Sequence, residues 1–295
     1  MTDTNTASDP LQGQPYEIVD RDGVRFTLLG TAHVSRASVD AVRASVASGD
    51  YDSVAVELDA GRLQSLTDPD TLARLDLVKV IREGKTHLFA ANLALAAYQR
   101  RLAEQLGVEP GEELKAGALD AQARGLPVHL IDREVGLTFK RALQSLGWWQ
   151  RTKVGAGILA SMFADEEVGD DEIEKLKQGD MLESSFGEFA TESPQLYSTI
   201  IAERDQYMAS ALRQVAASAP AGQASPYRVL AVVGAGHLPG LVRHLKEDAE
   251  DPAQLRRSLE TVKPKSRMPW MELIIGAFLV GGFAWGFWQG GVDVG

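Results

Sequence analysis

Cysteine is absent from this 295-residue chain, and that absence removes disulfides, thiol nucleophiles and Cys-type zinc sites together. Any metal would have to be held by His, Asp or Glu, and histidine is itself scarce, with five in the chain. No basic patch occurs in the first 250 residues. With a net charge of −11 and a pI near 5.0, nucleic acid is excluded as a partner. Neither His-Glu-x-x-His nor Gly-x-Ser-x-Gly occurs, so the common zinc-protease helix and the nucleophile elbow are both missing. "GAGHLPG" begins like a dinucleotide loop, but no later strand brings the acidic residue that ribose binding needs. "EGKTH" carries the Gly-Lys-Thr of a phosphate loop without its leading glycine, since position 79 is Lys79. Residues 1–15 have neither the basic start nor the apolar core of a secretory signal and are expected to form a disordered lead-in.

What the chain does have is ample apolar content, 44%, for a buried core. It also has one long apolar run. Trp270 to Trp288 contains a single charge, Glu272, and as a helix would span roughly 28 Å, close to the hydrocarbon thickness of a bilayer. Tryptophans at both ends suit the interfaces, so a C-terminal transmembrane helix is expected over 270–288, after a basic linker over 251–269. Arg256, Arg257, Lys263, Lys265 and Arg267 precede the span and no Lys or Arg follows it, which places the preceding domain in the cytoplasm at the cell membrane. Gly282, Gly286 and Gly290 fall on one helix face, where a second copy can approach closely. A homodimer is expected.

Between these ends, short β-rich runs alternate with longer helical patterns. Strands are expected over Tyr16 to Val19, Val24 to Leu29, Ser53 to Leu58, Pro127 to Ile131 and Arg228 to Val233. Helices are expected over Ser35 to Ser48, Pro69 to Arg82, His87 to Leu106, Pro110 to Arg124 and Pro194 to Ala217. The alternation means an α/β domain, residues 16–250, with helices packed on a sheet. Residues 140–193 are helical and charged and read either as an insertion covering a site or as a plain solvated helical pair.

Open α/β sheets place their sites at the C-terminal ends of strands, and several polar residues stand there. His33 follows "TLLG", Glu57 ends "SVAVE", Asp132 and Arg133 follow "VHLI", and His237 follows "VLAVVGAG". The Gly-x-x-His junction is thus doubled, with glycines that permit tight turns. In the helical "AERDQYM", Glu203 and Arg204 stand side by side. Two imidazoles and one or two carboxylates without a thiol suit zinc, manganese or cobalt. Each residue also has a plainer role: Glu57 paired with Arg62 or Arg133 as a buried ion pair, and Glu203 with Arg204 as a helix-surface pair. His129 reads as packing, His87 as a helix start and His244 as an exposed helical residue.

"LLGTAHVS", "VAVELDAGR", "LIDRE", "AERDQYMA" and "VVGAGHLPG", in that order, resemble the TraB/PrgY family, named from conjugation and pheromone-shutdown proteins. That family is related to the TIKI metalloproteases and more distantly to the erythromycin esterase-like and ChaN-like (EreA/ChaN-like) domains. The resemblance runs from about Phe26 to Leu245. It implies a split mixed sheet flanked by helices, with His33, Glu57 and His237 in one cleft as metal ligands. Glu57, Arg133, Glu203 and Arg204 are the implied catalytic residues, and Arg62 an outer member. The function it implies is a membrane-tethered, divalent-metal-dependent peptidase, with Arg133 or Arg204 stabilising the oxyanion. The other reading is a membrane-bound regulator that sequesters a peptide pheromone without cleaving it.

Overall fold

The computed structural model describes residues 11, 13–32, 35–68, 111–147, 149–150, 152, 194–220 and 226–262. His33, His87, the helices expected over Pro69 to Arg82 and His87 to Leu106, most of the 140–193 insertion and the 270–288 span lie outside them. Among the described residues, no helix is long and apolar enough to cross a membrane.

Strands β1 (Tyr16–Arg21) and β2 (Val24–Thr31) pair antiparallel across the turn Asp22-Gly23. Both turn residues have positive φ, 52° and 78°. Asp-Gly supplies this conformation at low cost, and the resulting hairpin twist matches that of the strands. Strands β3 (Ser53–Val56), β4 (Val128–Leu130) and β5 (Tyr227–Gly234) complete a mixed sheet of order β1-β2-β5-β3-β4, parallel from β2 to β4. These are the five strands expected from the sequence. The last strand among the described residues, β5, is inserted between β2 and β3, so its neighbours continue to opposite sides. A crevice outside the strand ends is the usual consequence.

The helices among the described residues are α1 (Arg36–Ala47), α2 (Ala60–Thr67), α3 (Glu112–Ala123), α4 (Val135–Ser145), α5 (Pro194–Tyr197), α6 (Glu203–Ser218), α7 (Leu238–Glu247) and α8 (Pro252–Glu260). They flank both faces of the sheet, because β5 is apolar and buried from Val229 to Val233 and alternates its side chains. Val229, Ala231 and Val233 meet Met208, Leu212, Leu241 and Leu245 of α6 and α7. Leu230 and Val232 meet Val42 and Val46 of α1 and Leu114 and Ala118 of α3 on the other face. Each fully buried leucine contributes about 1.5–3 kcal/mol, so the sheet is fixed by both clusters.

Two expected boundaries move. The segment expected as a basic linker, 251–269, opens with α8, whose Leu255 and Leu259 cluster with Tyr207 of α6. Arg256 there stacks 4.7 Å from the Tyr207 ring centre and belongs to the folded domain. The start of the insertion, placed at Lys140, falls inside α4, which begins at Val135 and buries Thr138 and Ala142.

Candidate functional site

The parallel register brings the strand ends level. Val56 of β3 lies opposite Val232 of β5 and Leu130 of β4, so Glu57, Gly234 and Asp132 follow at one edge of the sheet. Into this edge comes the first turn of α6, preceded by a π-helical turn, Ser198–Ala202. Such turns shift the helix register and are frequent at functional sites. Here the shift precedes three consecutive charges, Glu203, Arg204 and Asp205, that reach three different partners.

Arg204 is the hub. Its Nε donates to Asp132 Oδ1 at 2.9 Å, and its Nη2 donates to Asp132 Oδ2 at 2.8 Å and to Glu57 Oε1 at 2.5 Å. Among the described residues no hydrogen bond uses its Nη1. Burial opposes the guanidinium charge, but Asp132 and Glu57 outweigh it and hold the pKa well above the ordinary arginine value. The other oxygen of Glu57 accepts from the backbone N–H of Gly234 at 2.7 Å. Glu57 is therefore paired with Arg204, not with Arg62 or Arg133. Arg62 stands at the rim, 3.6 Å from Asp132.

His237 ends a short 3-10 turn, Ala235–His237, directly after β5 and is 4% exposed. Its Nδ1 lies 2.5 Å from Asp205 Oδ1, and its Nε2 lies 3.4 Å from Glu57 Oε1. Asp205 thus fixes the ring and turns Nε2 toward Glu57. Desolvation raises the Asp205 pKa, against the opposing pull of His237. The approach is possible because residue 240 is glycine: a Cβ there would stand 2.6 Å from Asp205 Cγ and closer still to Oδ2.

Glu203 and Arg133 belong to a neighbouring cluster. Arg133, 1% exposed, donates to Glu203 at 2.7 Å, to Thr138 Oγ1 at 3.0 Å, to the Thr199 carbonyl at 2.8 Å and to the Leu259 carbonyl at 3.3 Å. Four of its five N–H donors are spent on these bonds, and burial lowers its pKa. Arg141 also donates to Glu203, at 2.7 and 2.9 Å, and reaches the Ser258 and Thr261 carbonyls. Two guanidiniums therefore cap the C-terminus of α8, where the helix dipole favours positive charge. Glu203 and Arg204 are not a surface pair, since each crosses to a different cluster.

Of the residues singled out from the sequence, Glu57, Arg204 and His237 converge, Arg133 and Glu203 form the adjacent clamp, and His33 lies outside the described residues. Asp205 was missed, although it sits inside the quoted "AERDQYM", and the only sequence signal for it is the glycine at 240. Among the described residues no group of three or more His, Asp or Glu is placed to hold a metal ion. The donor chemistry nevertheless fits one in part. Glu57, Asp132 and Asp205 are 2%, 8% and 4% exposed, and the guanidiniums beside them among the described residues are the buried Arg204 and, at the rim, Arg62. An imidazole nitrogen backed by a carboxylate is the usual form of a metal-binding histidine.

This is an α/β domain with a charged site at the carboxyl ends of its parallel strands, and comparison with known proteins identifies its kind. The TraB/PrgY/gumN family model matches residues 16–255, and the chain belongs to that family. An uncharacterised protein of Methanocaldococcus jannaschii is 34% identical over 223 residues, covering 75% of this chain and 53% of its own length. TraB domain-containing proteins of Bos taurus and Homo sapiens are 34% and 33% identical over 249 residues, 79% of this chain and 65% of theirs. The chain thus spans between half and two thirds of the relatives it matches.

Proposed function

We propose that the chain is a membrane-tethered hydrolase that cleaves a peptide amide with a divalent ion, zinc, manganese or cobalt, held by His33, His237 and Glu57. One observation carries the reading: an imidazole oriented by a buried carboxylate, with two further buried carboxylates, Glu57 and Asp132, at the neighbouring strand ends. When bound, the ion would lower the pKa of a water toward neutrality and polarise the scissile carbonyl. The chain's own residues do the rest. Asp205 keeps the Nδ1 proton of His237 and so presents Nε2 as the lone pair. Arg204 pairs with Glu57, and its Nη1 offers a donor for an oxyanion or a substrate carboxylate. Arg133 holds the adjacent clamp, with four of its five N–H donors engaged by the fold. The span over 270–288 anchors the chain with the domain in the cytoplasm, and the glycine face at Gly282, Gly286 and Gly290 supports a homodimer.

A second reading, sequestration of a peptide without cleavage, is favoured by the state of Glu57. Both its oxygens already accept charge-assisted or backbone hydrogen bonds, which weakens it as a general base. Incubating the full chain with a defined peptide mixture and reading products by mass spectrometry separates the two. Hydrolysis requires products that vanish with chelator, return with added metal and are absent in His237→Ala. Peptide retained intact by the wild-type chain under the same conditions supports sequestration instead.

A further inference from the structure

The sheet ends in two unlike edges. On one side β4 is three residues long and half-buried, and a short edge strand is one of the ways in which proteins protect a sheet from further pairing. On the other side β1 runs for six residues in unbroken register with β2, so no bulge bends it away, and its sequence Tyr-Glu-Ile-Val-Asp-Arg holds neither proline nor lysine. The hairpin parity decides which of its backbone groups are used. Arg21 and Val24 close the turn, and the Gly30 N–H donates to the Pro15 carbonyl at 2.8 Å, so Glu17, Val19 and Arg21 bond to β2. The N–H and C=O groups of Tyr16, Ile18 and Asp20 therefore point away from the sheet. Among the described residues they have no hydrogen-bond partner.

The side chains at these positions are open as well. Val19 packs with α6 and α7, so alternation turns Tyr16, Ile18 and Asp20 to the other face of the sheet. There α1 and α3 cover β5 and β3 but leave β1 bare, with Tyr16 41% and Ile18 51% exposed. Large apolar side chains beside unpaired backbone groups mark an edge that takes up another strand. Asp20 accepts from Arg25 Nε at 2.8 Å and from Arg25 Nη2 at 3.0 Å, so its charge is balanced within the hairpin.

We propose that β1 pairs antiparallel with β1 of a second copy about a two-fold axis at Ile18, joining the two sheets into one. The outward groups of Ile18 then bond to those of its own copy, and Tyr16 and Asp20 pair with each other across the axis. Charge selects this register. With the axis at Ile18, two isoleucines face each other, Tyr16 faces the Asp20–Arg25 ion pair, where its ring meets a guanidinium, and Glu17 faces Val19 with Arg21 of the second copy on one diagonal. An axis at Glu17 would oppose two glutamates, one at Val19 would set Ile18 against Asp20, and one at Asp20 would oppose two aspartates. A two-fold axis uses the same patch on both copies, so an edge that matches itself in one register forms a closed dimer. The interface does not depend on the glycine face of the span.

Because the chain has no cysteine, a single introduced thiol reports the register directly. Cα atoms of a hydrogen-bonded antiparallel pair stand about 5.5 Å apart, inside the range of about 4.4–6.8 Å that a disulfide bridges. Ile18→Cys in the full chain is expected to give a covalent dimer under mild oxidation. Tyr16→Cys alone is not, since position 16 faces position 20, whereas Tyr16→Cys combined with Asp20→Cys is. The Ile18→Cys disulfide is expected with and without Gly282→Leu and Gly286→Leu, which separates this interface from the glycine face. Ile18→Lys, an exposed change that sets like charges opposite each other, should weaken dimerisation about tenfold in sedimentation over a range of concentrations. A wild-type chain that stays monomeric, an Ile18→Cys chain that does not cross-link, a Tyr16→Cys chain that cross-links as readily, or loss of the Ile18→Cys disulfide with the two glycine substitutions overturns the proposal. A monomer whose Ile18 amide is nonetheless protected from hydrogen exchange overturns it too, and gives the edge to another segment of the chain.

Discussion

Gly240→Ala is the substitution on which general rule and structure disagree most sharply. Position 240 lies in the first turn of α7, and replacing a helical glycine with alanine ordinarily stabilises by about 1 kcal/mol. Here the new methyl would stand 2.6 Å from Asp205 Cγ and 3.0 Å from its Cβ, so Asp205 must leave or the helices must part. Losing the bond to His237 costs about 1.5–3 kcal/mol, and overpacking costs about 1–3 kcal/mol. Set against the propensity gain, a net loss of about 2–4 kcal/mol is expected, since the chain relieves one cost partly by accepting the other. Urea unfolding of the full chain measures it, and a double-mutant cycle isolates the cause. Asp205→Ala alone should cost about 2–3 kcal/mol, because His237 is left buried without its carboxylate. In that background Gly240→Ala should cost less than about 1 kcal/mol, since the two nearest atoms, Oδ2 and Cγ, are gone and only the 3.0 Å approach to Cβ remains. A Gly240→Ala chain as stable as wild type, or a cost that is equal in both backgrounds, would refute the reasoning.

Further outcomes follow from the same geometry. Arg204→Gln leaves Glu57 and Asp132 buried without their cation and should cost about 3–5 kcal/mol in chemical denaturation, whereas Arg62→Ala, at the rim, should cost less than about 1 kcal/mol; equal effects would undo the assignment of Arg204 as hub. Burial would raise the Glu203 pKa, but Arg141 and Arg133 outweigh it and hold it below the ordinary value. The unfolded chain therefore takes up the proton first. Stability from this group is full above the ordinary glutamate pKa and drains as pH falls through the lower folded value. Glu203→Gln should flatten that acid limb of stability against pH, and an unchanged limb would remove Glu203 as its source. Asp205→Ala should weaken metal affinity about 10–100-fold while His129→Leu leaves it intact, as read by competition with a chelator. Gly282→Leu with Gly286→Leu should weaken cross-linking between copies of the full chain, and unchanged cross-linking would show that the glycine face holds nothing.

The sequence carried the strands well because each is a short β-rich run closed by a polar or glycine residue, as "VLAVVG" is. It carried His237 and Glu57 because a polar group at the end of an apolar strand stands out against its neighbours. Strand order was not legible: nothing local in "VLAVVG" says that the last strand inserts between the second and the third. Asp205 was hidden because an acidic residue after Glu-Arg reads as a solvated helix face, and only the close approach of α7 makes it buried. Arg133 shows what a strand-end position leaves open. Its place after a strand resembles that of a site residue, yet Thr138, Thr199, Glu203 and Leu259 absorb its donors. Helix α2 escaped because Gly61 interrupts a short pattern, although the Asp59 cap, accepting from Gly61 and Arg62, starts it. Helix α8 escaped because it buries only Leu255 and Leu259 in a run of charge.

The reading of the site as a metal-dependent hydrolase is tested most directly by elemental analysis of the purified full chain beside His237→Ala and His129→Ala. The proposed reading predicts a stoichiometric divalent ion in wild type and in His129→Ala, and its loss in a folded His237→Ala chain. A wild-type chain that takes up no divalent ion when zinc, manganese or cobalt is supplied, or a His237→Ala chain that keeps its full complement, would contradict the reading.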